Sequence, residues 1–191
     1  MKNQANSFQH GKEHMKPARA LFLDRDGVIN KDFGYVHRKE DVVFIDGVFS
    51  LAVAARTRGY LVIVVTNQAG IGRGYYTEED FSELMVWVEG EFRKHGAGID
   101  AVYFCPFHPV HGLGKYKKES RFRKPEPGMI LLAAQEHAID LASSALVGDS
   151  PSDMRAGLAA GVGSLFFLTQ DGTSMKGVQP IARLADIIPC L

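Results

Sequence analysis

From residue 20 onward the chain alternates short apolar runs with amphipathic stretches. Residues 20–23, 60–65, 101–104, 144–147 and 164–168 are rich in aliphatic and aromatic side chains and bounded by Gly, Asp or Pro. Runs of that length and composition are the signature of strands buried on both faces. Between them, residues 47–58 place Val48, Leu51, Ala52 and Ala55 on one helical face. Thr77, with Asp80 three residues on, predicts the N-cap of a helix reaching residue 95. Pro127 suits the first turn of a helix to residue 138, and Pro151 does the same after Ser150. Strands separated by helices of this length predict βαβ units. The expected class is α/β: a doubly wound, Rossmann-like parallel sheet with helices on both faces.

Residues 1–17 are polar and without periodicity, so a disordered or loosely ordered extension is expected there, with residues 18–191 forming one domain. The chain carries 22 Lys plus Arg against 22 Asp plus Glu, and this balance argues against charge-driven binding to nucleic acid or to an anionic membrane. The apolar runs are far too short to span a bilayer. Two cysteines exclude a disulfide scaffold and fit a reducing cytoplasm. Zero net charge leaves open a local separation of charge, and the rest of the sequence supplies one.

Two connections are long: residues 25–46 follow the first strand and residues 106–125 the third. Loops of this length in a compact domain are usually functional, and both emerge where open parallel sheets bind ligands. The first strand ends in Leu23-Asp24-Arg25-Asp26-Gly27. Acids at i and i+2 point to the same side, and their repulsion is relieved by a cation or a shared proton; an acidic turn is the alternative. The fourth strand ends in Gly148-Asp149-Ser150, and in a doubly wound sheet it neighbours the first across the switch point. Asp24, Asp26 and Asp149 together make a hard-cation site suited to Mg²⁺. Asp153 is expected to serve a capping box with Ser150 and so to support the site without coordinating directly.

Thr66 closes the second strand, where a hydroxyl can hold a phosphoryl oxygen. Arg123 and Lys124, pinned by Pro125, end a loop with six basic residues between Lys115 and Lys124, and both can engage phosphate. Lys115, Lys117, Lys118 and Arg121 are read as a solvated loop face. Gly70-Ile71-Gly72-Arg73-Gly74 has the look of a dinucleotide loop, but the spacing is not G-x-G-x-x-G and the strand is not the first.

Asp24-x-Asp26, Thr66, Lys124 and Gly148-Asp149…Asp153, in this order, resemble the haloacid dehalogenase superfamily of phosphotransferases over roughly residues 20–168. Within it, Leu23 to Asn30, Asp32 to Val36, Phe44 to Val48 and Val65 to Gly74 are similar to the heptose-1,7-bisphosphate 7-phosphatase family, with histidinol-phosphate phosphatases as close relatives. The short distances between motifs imply a loop-capped site without a separate cap domain. The resemblance implies that Asp24 attacks phosphorus, Asp26 serves as acid and then base, and Thr66 and Lys124 hold the phosphoryl oxygens. It implies Mg²⁺ on Asp24, the Asp26 carbonyl and Asp149, and substrate contacts from Asp32, Phe33, Gly34, Tyr35, Asn67, Gln68, Arg123 and Ser150. The implied partner is a small phosphorylated sugar, with no nucleic acid or membrane, handled by a cytoplasmic monomer or weak oligomer. A phosphosugar-binding non-enzyme and a phosphoryl transferase are the alternatives from other classes.

Relatives of this kind carry a structural zinc in the second long loop, held by Cys-x-His and a later Cys-x-Cys. Here the segments read Cys105-Pro106-Phe107-His108 and Ser120-Arg121-Phe122, so only Cys105 stands in register. No structural zinc is expected, although a regrouped site of Cys105, His108 and His111 is conceivable.

Overall fold

The computed structural model describes residues 17–170, 172–173 and 175–191. The extension expected over residues 1–17 lies outside them, save Pro17. Six parallel strands form one sheet: β1 (Arg19–Leu23), β2 (Tyr60–Asn67), β3 (Ala101–Cys105), β4 (Ala145–Gly148), β5 (Ser164–Leu168) and β6 (Gln179–Ile181). Their order is β3-β2-β1-β4-β5-β6, all in parallel register. Successive strands are therefore added outward from β1 on one side and from β4 on the other, which puts the switch point between β1 and β4, as the doubly wound reading requires.

Alternation along the strands divides the core in two. Leu21, Leu23, Val62, Val64 and Val147 face one side, where they pack with α1 (Val48–Thr57) residues Val48, Leu51, Ala52 and Ala55. The same side receives Phe81, Leu84, Val88 and Phe92 of a long helix, Glu78–Lys94. Ala20, Phe22, Ile63, Val65 and Leu146 face the other side, against Met129, Ile130 and Ala133 of the helix Gly128–Glu136 and Met154 and Ala156 of the helix Pro151–Ala160. Numbered in chain order with the short helix α2 (Ala69–Gly72), these three are α3, α4 and α5. Both expected N-caps are present. Thr77 and Asp80 form a capping box at α3, as do Ser150 and Asp153 at α5 with Pro151 in the first turn.

Two elements have no strong sequence signal. The strand β6 is short, mostly exposed and contains Pro180, which fits only an edge. A 3-10 segment, Leu184–Cys190, buries Leu184 and Ile187 against α1 and closes the first core. Between β1 and α1, and again between β3 and α4, the regular structure is limited to single 3-10 turns, Lys39–Asp41 and Gly114–Tyr116. Among the described residues these two loops and the short helix α2 border the C-terminal strand ends. Among the described residues no helix is long and apolar enough to cross a membrane.

Candidate active site

The C-terminal ends of β1, β2 and β4 open into a cavity of about 420 Å³ lined by Asp24, Asp26, Thr66, Lys124, Asp149 and Ser150, among others. Parallel pairing brings these residues together: Leu23 is in register with both Val64 and Val147, so Asp24 and the β4 terminus emerge side by side. The Asp24 backbone N–H donates to the Val147 carbonyl and extends that pairing by one residue.

Lys124 is almost fully buried and has three partners. Its Nζ lies 2.9 Å from Asp24 Oδ1 and 2.6 Å from Asp153 Oδ1, and donates to the Val65 carbonyl at 2.8 Å. Asn67 places it: the Asn67 amide and the Lys124 backbone exchange two hydrogen bonds of 3.0 Å. Burial raises the Asp24 carboxyl to about 7 against the pull of Lys124, with the charges of Asp153 and Asp149 adding to the rise. Burial and Asp153 likewise raise Asp149 to about 6. Buried acids that resist ionisation next to one another are what a divalent cation relieves.

Asp24, Asp149 and Asp153 offer ligand oxygens all within 4.8 Å of one another. Asp153 is spent on Lys124 and on the Ser150 backbone N–H at 3.0 Å, which leaves Asp24 and Asp149 for a cation. The residues fit Mg²⁺, which takes few carboxylates and keeps waters and phosphate oxygens. Gly27 is part of that fit. Its φ is +84°, and a Cβ there would stand 1.7 Å from Asp149 Oδ2, so only glycine lets the first loop pass against that carboxylate.

Asp26 is held differently. Its Oδ1 accepts from Arg25 Nε at 3.0 Å, from Arg25 Nη2 and from Asn30 Nδ2 at 3.1 Å, while Oδ2 accepts from Gln68 Nε2 at 3.1 Å. Oδ1 is thus held by Arg25 and Asn30, while Oδ2 accepts a single hydrogen bond. Arg25 has no exposed surface, and its Nη2 also donates to the Val36 carbonyl, tying Asp26 to the middle of the first loop. Arg25 and Asn30 stand inside the first motif but are assigned no role from sequence, because a buried arginine is rare and its partners are revealed only by tertiary structure.

The expected substrate contacts divide. Asp32, Gly34, Tyr35, Asn67, Gln68 and Ser150 line the cavity. Asp32 Oδ1 accepts from the Gly34 N–H at 2.8 Å, and Gly34 and Tyr35 both have positive φ, so the first loop makes a tight, preset turn over the site. Phe33 is 63% exposed and borders an adjoining hollow instead. Arg123 does not line the cavity; it is partly buried and donates to the Phe107 carbonyl at 3.2 Å. A larger neighbouring hollow of about 580 Å³ mixes His37, Arg38 and Lys39 with Glu40, Asp80 and Glu83 and so presents no field of one sign.

In the second loop, Cys105 is buried and its thiol is pushed up by burial, with hydrogen bonds to the Phe107 backbone and the Ser120 side chain. Phe107 and Phe122 pack on the second core, and Lys118 Nζ sits 4.1 Å from the centre of the Phe107 ring. Among the described residues, Cys105, His108 and His111 do not converge as a ligand set; the acid trio is the group that does.

An open parallel sheet whose first strand ends in paired aspartates, faced by a buried lysine and a second acid, defines a hydrolase of the haloacid dehalogenase type. The HAD-hydrolase-like family model matches residues 121–188. A relative in Burkholderia mallei, a D-glycero-α-D-manno-heptose-1,7-bisphosphate 7-phosphatase, is 57% identical over 91% of this chain and 93% of its own. A β-anomer counterpart in Vibrio cholerae is 51% identical over 76% of this chain and 78% of its own. The crystal structure of D,D-heptose 1,7-bisphosphate phosphatase from B. bronchiseptica, complexed with magnesium and phosphate, superposes with a TM-score of 0.79 at 25% identity, covering 90% of this chain and 97% of that one. The chain belongs to the heptose-1,7-bisphosphate 7-phosphatase family of HAD-like hydrolases, and it is a phosphatase.

Proposed function

We propose that this phosphatase removes the C7 phosphate of D-glycero-D-manno-heptose 1,7-bisphosphate through an aspartyl phosphate on Asp24. The observation that carries the reading is the Asp24–Lys124–Asp153 cluster beside Asp149 and Asp26, in a cavity roomy enough for a sugar phosphate. Asp24 attacks phosphorus while Lys124 and Thr66 hold the equatorial oxygens, so charge developing in the transition state meets donors already in place. Asp26 gives a proton to the leaving sugar oxygen and then takes one from the water that opens the intermediate. When bound at Asp24, Asp149 and the Asp26 carbonyl, Mg²⁺ would offset the repulsion between nucleophile and dianion. The 57% identity to the α-anomer relative supports the α-bisphosphate as the preferred substrate.

The second phosphate is assigned to Arg123, whose neighbour Arg73 adds positive charge on the same side. The second loop is assigned to packing, with no zinc: two of four ligand positions are the rings of Phe107 and Phe122, and a third is Ser120. A monomer or weak oligomer is proposed, and two free cysteines suit the cytoplasm.

The test is Mg²⁺-dependent phosphate release from α- and β-heptose bisphosphates, histidinol phosphate and hexose bisphosphates, beside Asp24→Asn. Preference for the α-heptose bisphosphate, and loss of turnover by about 10⁴-fold in the variant, are expected. Equal turnover of histidinol phosphate overturns the substrate, and an active Asp24→Asn protein overturns the mechanism. Metal analysis giving one tightly held zinc per chain overturns the account of the loop.

A further inference from the structure

The glycine-rich turn after β2 binds no dinucleotide in this account, yet its geometry is specific. Gly70 to Gly74 curl back so that the Tyr75 N–H donates to the Gly70 carbonyl at 2.9 Å, with Gly74 at φ +75°. The turn returns Tyr76 over its own start. A Cβ at residue 70 would lie 2.2 Å from Tyr76 Cε1 and 2.8 Å from its hydroxyl oxygen, so Gly70 is the residue that admits the ring. His37, from the first loop, stacks on that ring at 5.0 Å and 6°.

The Tyr76 hydroxyl then donates to Gln68 Oε1 at 2.6 Å. An amide has an accepting and a donating end, so occupying Oε1 fixes which end faces the site. Gln68 Nε2 faces both Asp26 Oδ2, at 3.1 Å, and Thr66 Oγ1, at 2.9 Å. Each contact has a chemical consequence. The Thr66 oxygen accepts here, which leaves its single hydrogen for a phosphoryl oxygen. Asp26 Oδ1 already accepts from Arg25 and Asn30, whereas Oδ2 accepts from Gln68 alone. Oδ2 is therefore the oxygen with a lone pair left for the transferable proton. A reversed amide would set Gln68 Oε1 against that oxygen, two acceptors face to face.

We propose that Tyr76 and Gln68 are positioning residues that fix the proton-carrying oxygen of Asp26, and that the turn from Gly70 to Gly74 exists to bring Tyr76 there. In the first step the proton passes from Asp26 Oδ2 to the leaving sugar oxygen as the P–O bond breaks. In the second step the same oxygen takes a proton from water as water's oxygen bonds to phosphorus and frees Asp24. The proposal rests on Asp26 acting as the acid and base.

The test compares a substrate that needs a general acid with one that does not. Tyr76→Phe keeps the ring and removes only the hydroxyl. Single-turnover rates are measured with heptose bisphosphate, whose alkoxide must be protonated, and with p-nitrophenyl phosphate, whose phenolate leaves unaided. The rate on the sugar is expected to fall about tenfold and that on the aryl ester no more than about threefold, each with KM within about twofold of wild type. Gly70→Ala, which displaces the ring, is expected to show the same split. Equal losses on both substrates, no loss, or a loss confined to KM overturns the relay. Asp26→Asn separates the two failures: an inactive Asp26→Asn beside a wild-type-like Tyr76→Phe overturns the relay alone, whereas an Asp26→Asn protein as fast as wild type overturns the role of Asp26 itself.

Discussion

The strand ends and the second long loop meet at Lys124, and they are held by opposite means. At the strand ends, charge sits in the interior: the Lys124 and Asp153 side chains are 2% exposed, and the Lys124 ammonium lies between the Asp24 and Asp153 carboxylates. In the loop, Phe107, Phe122 and the Cys105 thiol pack as ordinary apolar matter, and the charged residues Lys118 and Arg121 lie over aromatic rings. The first region loses heavily when any one partner is removed, since a lone buried charge has nowhere to go. The second loses in proportion to the area uncovered. In the proposed mechanism the chemical step draws on the charged region, and the loops that packing holds over it are where contacts to the rest of the substrate are proposed.

The largest contrast comes from Lys124→Met. The substitution nearly preserves volume but leaves Asp24 and Asp153 facing each other without a cation. Stability should fall by about 3–5 kcal/mol in urea denaturation without metal, and phosphate release by at least about 10³-fold with Mg²⁺ present. A loss of stability no greater than that from a loop substitution would break the distinction between the two regions.

How much of this could be read beforehand follows the same division. Parallel strands buried on both faces are continuous apolar runs, so β1 to β5 stand out in the text, and residues leaving their ends could be paired across the switch point. Asp24, Asp26, Thr66 and Asp149 were legible for that reason. The β6 strand, Gln-Pro-Ile with two exposed positions, has no such run, and its place is decided by pairing with β5. Within the site the limit is side-chain partnership. The family resemblance makes Gln68 a substrate contact, but at 1% exposure its amide spans Asp26, Thr66 and Tyr76. Tyr76 has no part in the sequence reading, and the need for glycine at Gly70 is evident only once the ring is seen against it. Arg25 lies between two aspartates in the sequence without any signal of its full burial, which is a tertiary fact.

Phe122→Ala probes the other side of the contrast. Phe122 is partly buried against the second core, and its loss should cost about 1–2 kcal/mol, less than full burial of a phenylalanine would imply. Because Arg123 follows it directly, KM for the bisphosphate should rise about five- to tenfold while kcat stays within about threefold. Steady-state kinetics check this. A chelator strong enough to strip zinc should leave the wild-type melting temperature in magnesium-free buffer unchanged if packing alone holds the loop.

The smallest effect separates the regions by pH. Asp24 and Asp149, raised to about 7 and about 6 chiefly by burial, hold their protons to higher pH in the metal-free folded protein, whereas the unfolded chain releases them near the ordinary aspartate value of 3.8. Between about pH 4 and 7 the folded state thus binds more protons than the unfolded one, and stability must fall as pH rises through that window. Mg²⁺ binds the ionised carboxylates and so acts most where they are deprotonated. The rise in melting temperature on adding Mg²⁺, measured by thermal denaturation, should therefore be larger at pH 8 than at pH 5. Phe122→Ala should lower the melting temperature by the same few degrees at both pH values, since no titrating group is part of what it removes. A Mg²⁺ increment that is flat with pH would mean that the strand-end carboxylates are not the cation's ligands, and the contrast between a charged region and a packed one would lose its electrostatic half.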